Sequence, residues 1–373
     1  MDPFINEISK NIKNIIGEIK SYKANKEGSI PIYLWGGGSV AAGVLKKLDE
    51  NNIRIDGIFV DVKDCHIDSR IHKDIPILTL DEVEDRNVQY SVIVGHSHYE
   101  LIPALNSREK VDRVWAFADA VRNDCAISYQ YVTENLDELQ YSFERLEDEL
   151  SRKNFLAYFN AKITGDVFYL LDVFEKPMTY FQNDICRFGA EETYLDIGAY
   201  DGKSIDEFIQ VSNGNYRSII GIEVMKEMAN FLSDKYKNEN LVSIYNIGIS
   251  NHIGTDFFSF DDQSTCLVSG NKKGSEIEVE TIDHLIQAHD IGAVTLMKIC
   301  IGSSIKKLLE GAEKTIREHL PKIIISMGID TDAFRDYIRL IDKYAGKDAY
   351  KFYLRLTNAS TDTLVLIATP NPR

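Results

Sequence analysis

The stretch TYLDIGAYDGKS, from residue 193 to residue 204, combines a short apolar run with two acids and two glycines. Asp196 stands near the end of the run, and Asp201 lies inside the loop that Gly198 and Gly202 bracket. This spacing is GxxxG, whereas the usual dinucleotide-binding loop is GxGxxG. Because two carboxylates would repel a pyrophosphate at the start of a helix, the loop favours a cationic ligand. An ordinary strand-to-helix turn with two solvated acids is the alternative interpretation.

The next two predicted strands end in residues that suit the same ligand. The run SIIGIE ends in Glu223, where a carboxylate can accept both hydroxyls of a ribose. The following strand ends in YNIGIS, where Asn246 and Ile247 could border an adenine. S-Adenosylmethionine carries an ammonium, a sulfonium, a ribose and an adenine, so we predict it as the cofactor. The predicted cofactor-binding residues are Asp196, Gly198, Tyr200, Asp201, Gly202, Glu223, Val224, Asn246 and Ile247.

A second glycine loop follows the predicted strand IPIYLW near the N-terminus. Gly36, Gly38 and Ala41 give the pattern GxGxxA, and Asp61 ends the next predicted strand. Since no acid lies in this loop, a phosphate at the start of the following helix is physically allowed. Gly36, Gly38, Ser39 and Asp61 are therefore candidates for binding a nucleotide. A tight turn kept for architecture or dimerisation explains the pattern equally well.

Several other residues have side chains that could bind a metal or take part in catalysis. His96 and His98 form an HxH pair without an evident third ligand, so we predict no metal site. Cys300 has no assignable base, and we predict a small buried residue rather than a nucleophile. Asp261, at the start of the sequence DDQS, could face a substrate, although a solvated turn is the simpler interpretation.

The composition restricts the partners of the chain. Among 373 residues, 58 are Asp or Glu and 42 are Lys or Arg, which gives a net charge of −16. This balance opposes binding to a phosphate backbone, so no nucleic-acid partner is expected. Five scattered cysteines without a CxxC pair fit a reducing compartment, and we predict a cytoplasmic protein. The N-terminal apolar residues are too interrupted by charges to span a bilayer, so no membrane partner is expected.

The pattern of apolar runs predicts an α/β protein with several segments. Residues 1–29 suggest an amphipathic helix that packs on its own domain or on a second subunit, so the chain could form a homodimer. Residues 30–118 predict a small Rossmann-like domain with a parallel sheet, and residues 119–187 a helical connector. Residues 188–373 contain nine candidate strands and predict a larger sheet. Its last two strands are expected to pair as an antiparallel hairpin at the edge.

From residue 179 to residue 326 the chain resembles the FkbM-type methyltransferases. The motifs that carry the resemblance are TYFQNDICRFGAEETYLDIGAYDGKSIDEF, IIGIEVMKEMANFL, NIGISNHIGTDFFSF, IEVETIDHL and LLEGAEKTIREHLPKIIIS. The resemblance implies a Rossmann-like methyltransferase fold that uses S-adenosylmethionine, with O-methylation of sugars or related hydroxyl groups as the usual activity. It also implies that Tyr180 and Phe181 lie near the cofactor pocket.

The chain departs from the family pattern after the fourth main strand. Where the family usually has Lys-x-Asp-x-Glu-Gly-x-Glu, this sequence has KICIGSSI. Lys298 is kept, while Cys300, Gly302 and Ile305 stand in place of the three acids. Carboxylates that could act as bases are therefore missing, and Lys298 and Asp261 remain as the catalytic candidates.

These observations predict a methyltransferase that acts on a hydroxyl group of a small molecule, with a sugar or nucleotide-sugar as the candidate acceptor. The loss of the acids leaves a second hypothesis open, namely a cofactor-binding or scaffold protein that retains the fold with little or no turnover. In a third hypothesis the chemistry of a nucleotide-sugar enzyme lies in the first domain.

Overall fold

The computed structural model describes residues 3–10, 13–25, 30–61, 67–71, 74–117, 127–176, 178–182, 184–261, 264–267, 275–302, 305–327 and 332–372. The chain divides into two compact units, each built from segments that are distant in sequence. Unit 1 comprises Met1–Glu134, Lys153–Pro177 and Asn358–Thr361. Unit 2 comprises Asn135–Arg152, Met178–Thr357 and Asp362–Arg373.

Short strands alternate with helices in the first part of the chain. The strands described there are β1 (Ile32–Trp35), β2 (Gly57–Val60), β3 (Ile77–Thr79), β4 (Tyr90–Val94) and β5 (Val111–Ala116). The helices described there are α1 (Pro3–Asn6), α2 (Ile15–Asn25), α3 (Ser39–Glu50), α4 (Leu80–Glu84), α5 (Ile102–Asn106), α6 (Tyr129–Glu134), α7 (Leu136–Glu144), α8 (Glu149–Thr164) and α9 (Phe168–Leu171).

The five strands of unit 1 form one parallel sheet in the order β3-β2-β1-β4-β5. Strands β1, β2 and β4 are buried along their whole length, as expected for parallel strands covered on both faces. The small parallel sheet predicted from the sequence is confirmed. Strand β3 was not predicted, because three residues are too few to show a hydrophobic period.

The N-terminal segment differs from the single amphipathic helix that its periodicity suggests. The described residues form two helices, α1 and α2. Between them the Ser9 backbone N–H donates to Asn160 Oδ1 at 2.7 Å, and the Lys13 backbone N–H donates to the Thr164 carbonyl at 2.8 Å. These donors therefore bond to α8 rather than to carbonyls four residues earlier, which interrupts the helix.

The second part of the chain is richer in strands. Its described strands are β6 (Thr193–Ile197), β7 (Ser218–Ile222), β8 (Val242–Tyr245), β9 (Gly248–Ile249), β10 (Gly254–Asp261), β11 (Ser264–Leu267), β12 (Ser275–Glu280), β13 (Leu296–Ile299), β14 (Lys322–Ser326), β15 (Tyr350–Leu356) and β16 (Leu364–Pro370). Its described helices are α10 (Lys203–Val211), α11 (Lys226–Lys235), α12 (Ile282–Ala288), α13 (Ile305–Glu310), α14 (Glu313–His319) and α15 (Ala333–Ala345).

The strands of unit 2 separate into two sheets. Seven form the main sheet in the order β15-β16-β14-β13-β6-β7-β8, and four form a smaller sheet in the order β11-β10-β12-β9. The predicted edge hairpin is confirmed, since β16 runs antiparallel to both β14 and β15. The sequence predicts nine strands in one larger sheet, but two of them lie in the smaller sheet. These two are TDFFSF in β10 and EIEVET in β12, which pair with each other.

An ion pair in unit 2 joins the start of α8 to β15. Arg355 Nη2 lies 2.6 Å from Asp148 Oδ2, and the Ser151 backbone N–H and hydroxyl donate to Asp148 Oδ1. Burial acts to raise the pKa of Asp148, but the hydrogen bonds from Arg355 and Ser151 outweigh burial and lower the pKa to about 2. Because the folded pKa lies below the ordinary value of 3.8, the charge stabilises the fold above about pH 4 and ceases to do so as pH falls towards 2.

We expect Asp148→Asn to lower the free energy of unfolding by about 1 kcal/mol at pH 7, since solvent partly screens the carboxylate. The difference between variant and wild type should shrink as pH falls from about 4 to about 2. Denaturant unfolding across this range measures it. Glu147→Gln, which removes the exposed neighbouring pair with Lys351, is the matched control and should change stability by at most about 0.5 kcal/mol. A difference for Asp148→Asn that persists undiminished to pH 2.5 would rule out the charge as its source.

Candidate cofactor site

The β6–α10 loop (residues 198–202) follows the first strand of unit 2 at its carboxyl end. Gly198 and Gly202 have φ values of +79° and +78°. A Cβ at Gly198 would lie 2.2 Å from the carbonyl oxygen of Cys300, and one at Gly202 would lie 2.5 Å from the hydroxyl of Tyr236. The GxxxG spacing therefore has a physical cause, because neighbouring atoms and the left-handed backbone exclude a side chain at both glycines.

A buried ion pair lies directly beneath this loop. Asp196 on β6 and Lys298 on β13 are opposite each other in the parallel ladder, and Lys298 Nζ lies 3.0 Å from Asp196 Oδ1. The other carboxylate oxygen accepts from the hydroxyl of Ser204 at 2.5 Å. Lys298 Nζ also donates to the carbonyl of Gly198 at 3.2 Å. Both oxygens of Asp196 are thus engaged within the protein, and its side chain is fully buried.

The predicted catalytic candidate Lys298 is unsuited to accept a proton. Burial acts to lower its pKa, but the carboxylate of Asp196 outweighs burial and raises the pKa above the ordinary value for lysine. Tyr180, whose ring lies over Lys298 Nζ at 5.3 Å, has its pKa raised by burial and by the neighbouring Cys300. Both groups therefore remain protonated near neutral pH.

Cys300 corrects one expectation from the sequence. It was predicted to be a small buried residue, yet it is exposed. The chain leaves β13 immediately before Cys300, and its backbone N–H donates to the Ile197 carbonyl while its own carbonyl faces Gly198. These main-chain contacts turn the thiol outward, where it lies 3.9 Å from the hydroxyl of Tyr180.

Glu223 follows β7, and backbone N–H groups bind both of its carboxylate oxygens. Its Oε2 accepts the backbone N–H of Tyr200 at 2.9 Å, and its Oε1 accepts the backbone N–H of Met225 at 2.8 Å. Only 4% of the residue is exposed. A carboxylate has about four acceptor positions, so two remain after these bonds. The backbone thus holds the carboxylate in one orientation with acceptor capacity left over.

The remaining predicted cofactor residues surround Glu223 or form the loop. Asn246 donates its side-chain amide to the carbonyls of Glu223 at 2.8 Å and Val224 at 3.0 Å, so it braces the strand ends. Ile247 is half-buried beside it. Asp201 is exposed and accepts the backbone N–H of Lys203, the first residue of α10, at 3.0 Å.

Sequence reasoning missed several residues that shape this loop. Two of them lie at the end of α11. The Tyr236 hydroxyl donates to the carbonyl of Gly202 at 2.8 Å, and Lys235 Nζ donates to the carbonyl of Asp201 at 2.9 Å. Ser204 completes the hydrogen bonding of Asp196. Only Ser204 lies within the motif, and no sequence signal links Lys235 or Tyr236 to it, because both are brought there by the packing of α11.

Other predicted positions do not join this cluster or cannot be assigned. Phe181 is buried and packs on Tyr194 and Phe208. The side chain of Asp261 lies outside what the structure describes. Within the described ranges, no three His, Cys, Asp or Glu side chains are arranged to hold a metal ion. In the same ranges, no helix has both the length and the apolar character needed to cross a bilayer.

The glycine loop of unit 1 lies where the strand order of its sheet reverses, between β1 and β4. Gly36 has a φ of +114°, and a Cβ there would lie 2.9 Å from the carbonyl oxygen of Gly95. Gly38 precedes Ser39, the first residue of α3, without a side-chain cap. Asp61 is exposed just after β2. All these residues therefore lie at the carboxyl end of the sheet, where open α/β sheets bind ligands.

His96 follows β4 beside this loop. Its ring packs edge-on against Trp35 with centroids 4.3 Å apart, and its Nδ1 accepts the backbone N–H of His98 at 3.1 Å. Burial, and secondly the charge of His98, lower the pKa of His96 to about 4. The imidazole is therefore neutral at pH 7 and carries its proton on Nε2, which is buried without a partner in the described structure.

The whole architecture resembles that of a solved protein. A crystal structure of the methyltransferase FkbM from Methylobacillus flagellatus KT matches with a TM-score of 0.67 and 19% identity, over 96% of this chain and 94% of that chain. An rRNA methylase from Streptococcus thermophilus matches over 49% of this chain and 89% of its own, with 12% identity and a TM-score of 0.30. The N-methyltransferase NodS from Bradyrhizobium japonicum WM9 matches over 49% and 86%, with 12% identity and a TM-score of 0.29.

The two partial matches are too distant to bear on this chain. No protein-family model and no curated protein matched it. The similarity to the Methylobacillus structure extends over nearly the full length of both chains, and at 19% identity it shows the fold. The chain therefore has the fold of an FkbM methyltransferase, as its sequence motifs predict.

Proposed function

We propose that this protein is an S-adenosylmethionine-dependent methyltransferase that acts on a hydroxyl group of a small molecule. The observation that carries the proposal is the carboxylate of Glu223, which two backbone N–H groups hold at the end of the strand next to β6. Its remaining acceptor positions fit the two hydroxyls of a ribose. Bound there, the cofactor would supply an electrophilic methyl group on its sulfonium.

The acids of the β6–α10 loop contribute differently from what the sequence suggested. Lys298 neutralises Asp196, so this carboxylate does not provide free negative charge for a cationic ligand. Asp201 is exposed, and Glu223 lacks a basic partner among the described residues, so these two supply the negative potential at the loop. The residues present therefore fit the cofactor, with Asp196 supporting the loop through its bonds to Lys298 and Ser204.

Among the described residues, the titratable neighbours of Cys300 do not offer a base to the acceptor. Lys298 and Tyr180 stay protonated near neutral pH, and Cys300 stands where the family usually has an acid. We therefore infer intact cofactor binding with slow turnover on simple sugar hydroxyls, whose protons need a base for removal. The second candidate is a protein that binds the cofactor and acts as a scaffold with little or no turnover. It is favoured because the exposed Cys300 stands where the family usually has an acid.

Replacing Glu223 with Ala is expected to weaken binding of S-adenosylhomocysteine by about 1–3 kcal/mol, because charge-assisted hydrogen bonds to the ribose are lost. Isothermal titration calorimetry on the folded variant measures the change. Glu227→Ala removes an exposed acid from the first turn of α11 and is the matched control for net charge. Equal affinity in Glu223→Ala and wild type would exclude Glu223 from the site.

Cys300→Asp is expected to raise the rate of methyl transfer to sugar acceptors by at least about 10-fold, because it supplies a base beside the β6–α10 loop. The exposed position of Cys300 allows a charged side chain there without burial. Cys300→Asn has a similar shape and no basicity, so it should leave the rate unchanged. Rapid transfer by the unmodified protein would contradict the inferred lack of a base and would place that base elsewhere.

We further propose that unit 1 binds a nucleotide or the nucleotide part of a substrate. The uncapped start of α3 suits a phosphate, and the His96 ring, whose Nε2 has no hydrogen-bond partner among the described residues, lies beside Gly36 of the same loop. Asp61 lies after the neighbouring strand, where a carboxylate can accept hydrogen bonds from a ribose. The alternative is a loop kept for architecture alone.

Calorimetric titration of the full chain with NAD, ADP and UDP-glucose tests this proposal. We expect at least one of them to bind with the same affinity in the presence and absence of saturating S-adenosylhomocysteine. Asp61→Asn should weaken that binding about 10-fold through the lost charge-assisted hydrogen bond. If none of the three binds at millimolar concentration, the architectural interpretation holds.

A further inference from the structure

The ammonium group of Lys298 contacts a carboxylate, a backbone carbonyl and an aromatic ring. Its Nζ lies 3.0 Å from Asp196 Oδ1, 3.2 Å from the carbonyl oxygen of Gly198 and 5.3 Å from the centroid of the Tyr180 ring. Only 5% of the side chain is exposed. The first two contacts are hydrogen bonds and the third is a cation–π contact, so the ammonium is held from three sides.

We propose that Lys298 is a positioning residue, which fixes the β6–α10 loop by holding the Gly198 carbonyl and fixes the Tyr180 ring above it. This inference rests on the proposed function, because the loop matters for binding only if the cofactor lies there. Lys298 thereby connects three elements that are far apart in sequence: the strand β13 that carries it, the start of the loop, and the segment that contains Tyr180.

The loop needs such support because its backbone is unfavourable. Tyr200 has a φ of 46° although it is not a glycine, and 54% of it is exposed, so its side chain gains little from packing. Hydrogen bonds must hold it in place instead. The Tyr200 N–H bonds to Glu223 and the Gly202 carbonyl lies 2.8 Å from the Tyr236 hydroxyl, while Lys298 holds the first residue, Gly198.

The charge of Lys298 has a second consequence, which a test must separate from positioning. Removing the ammonium alone would leave the Asp196 carboxylate buried without a counter-charge, and this would destabilise the fold whatever the role of the loop. Asp196→Asn combined with Lys298→Met removes both charges together. The asparagine still offers an oxygen to the hydroxyl of Ser204, so the hydrogen bond to α10 can persist.

Hydrogen exchange of the ligand-free double variant measures positioning directly. We expect the fold to persist, with amides of residues 198–202 exchanging at least about 10-fold faster than in wild type, and with S-adenosylhomocysteine binding at least about 10-fold more weakly. Lys306→Met combined with Asp336→Asn removes an ion pair from the surface and is the matched control, which should change neither quantity. Loop exchange and affinity at wild-type values in the folded double variant would overturn the proposal.

The single variant Lys298→Arg covers the case in which the double variant does not fold. It keeps the positive charge beside Asp196, but a planar guanidinium cannot reproduce the geometry of the ammonium contacts to Gly198 and Tyr180. Faster loop exchange in this folded variant would support positioning, and wild-type exchange would count against it. If even the wild type fails to bind S-adenosylhomocysteine, the proposed function is wrong, whereas the exchange rates still decide whether Lys298 holds the loop.

Discussion

The buried ion pair between Asp196 and Lys298 joins two adjacent strands of the main sheet in unit 2. Two charges so deeply buried are tolerated only as a paired and hydrogen-bonded unit, and Ser204 and the Gly198 carbonyl complete that bonding. The β6–α10 loop, the start of α10 and the Tyr180 ring are all arranged around it. The start of the loop, the start of α10 and the Tyr180 ring therefore all contact this one pair.

This arrangement explains how the site divides its charged groups between structure and binding. Both oxygens of Asp196 are engaged by Lys298 and Ser204, whereas Asp201 and Glu223 keep acceptor capacity beside their bonds to backbone N–H groups. The chain retains Lys298, the first residue of KICIGSSI, and also its partner Asp196. The acids that the family pattern has after this lysine are absent. Under the proposed function, binding of the cofactor and removal of a proton from the acceptor would rest on separate residues.

The same physical constraint shapes a glycine loop in each unit. In unit 1 the carbonyl oxygen of Gly95 lies 2.9 Å from where a Cβ of Gly36 would be. In unit 2 the carbonyl oxygen of Cys300 lies 2.2 Å from the corresponding point at Gly198. In both cases the loop after the first strand packs against the main chain that leaves a parallel neighbour, so only glycine fits. The shared feature is a consequence of building a tight turn at the carboxyl end of a parallel sheet.

Hydrophobic period and turn residues are local properties, so the α/β class, the edge hairpin, most strands and the two glycine loops follow from the sequence alone. Two features depend on the packing of distant segments: Asp196 pairs with Lys298, 102 residues away, and Cys300 is exposed. Packing also divides the strands of unit 2 between two sheets and interrupts the N-terminal helix. Periodicity shows which side chains face a core. The packing of the elements decides which charged side chains pair there and which backbone groups form hydrogen bonds to a distant helix.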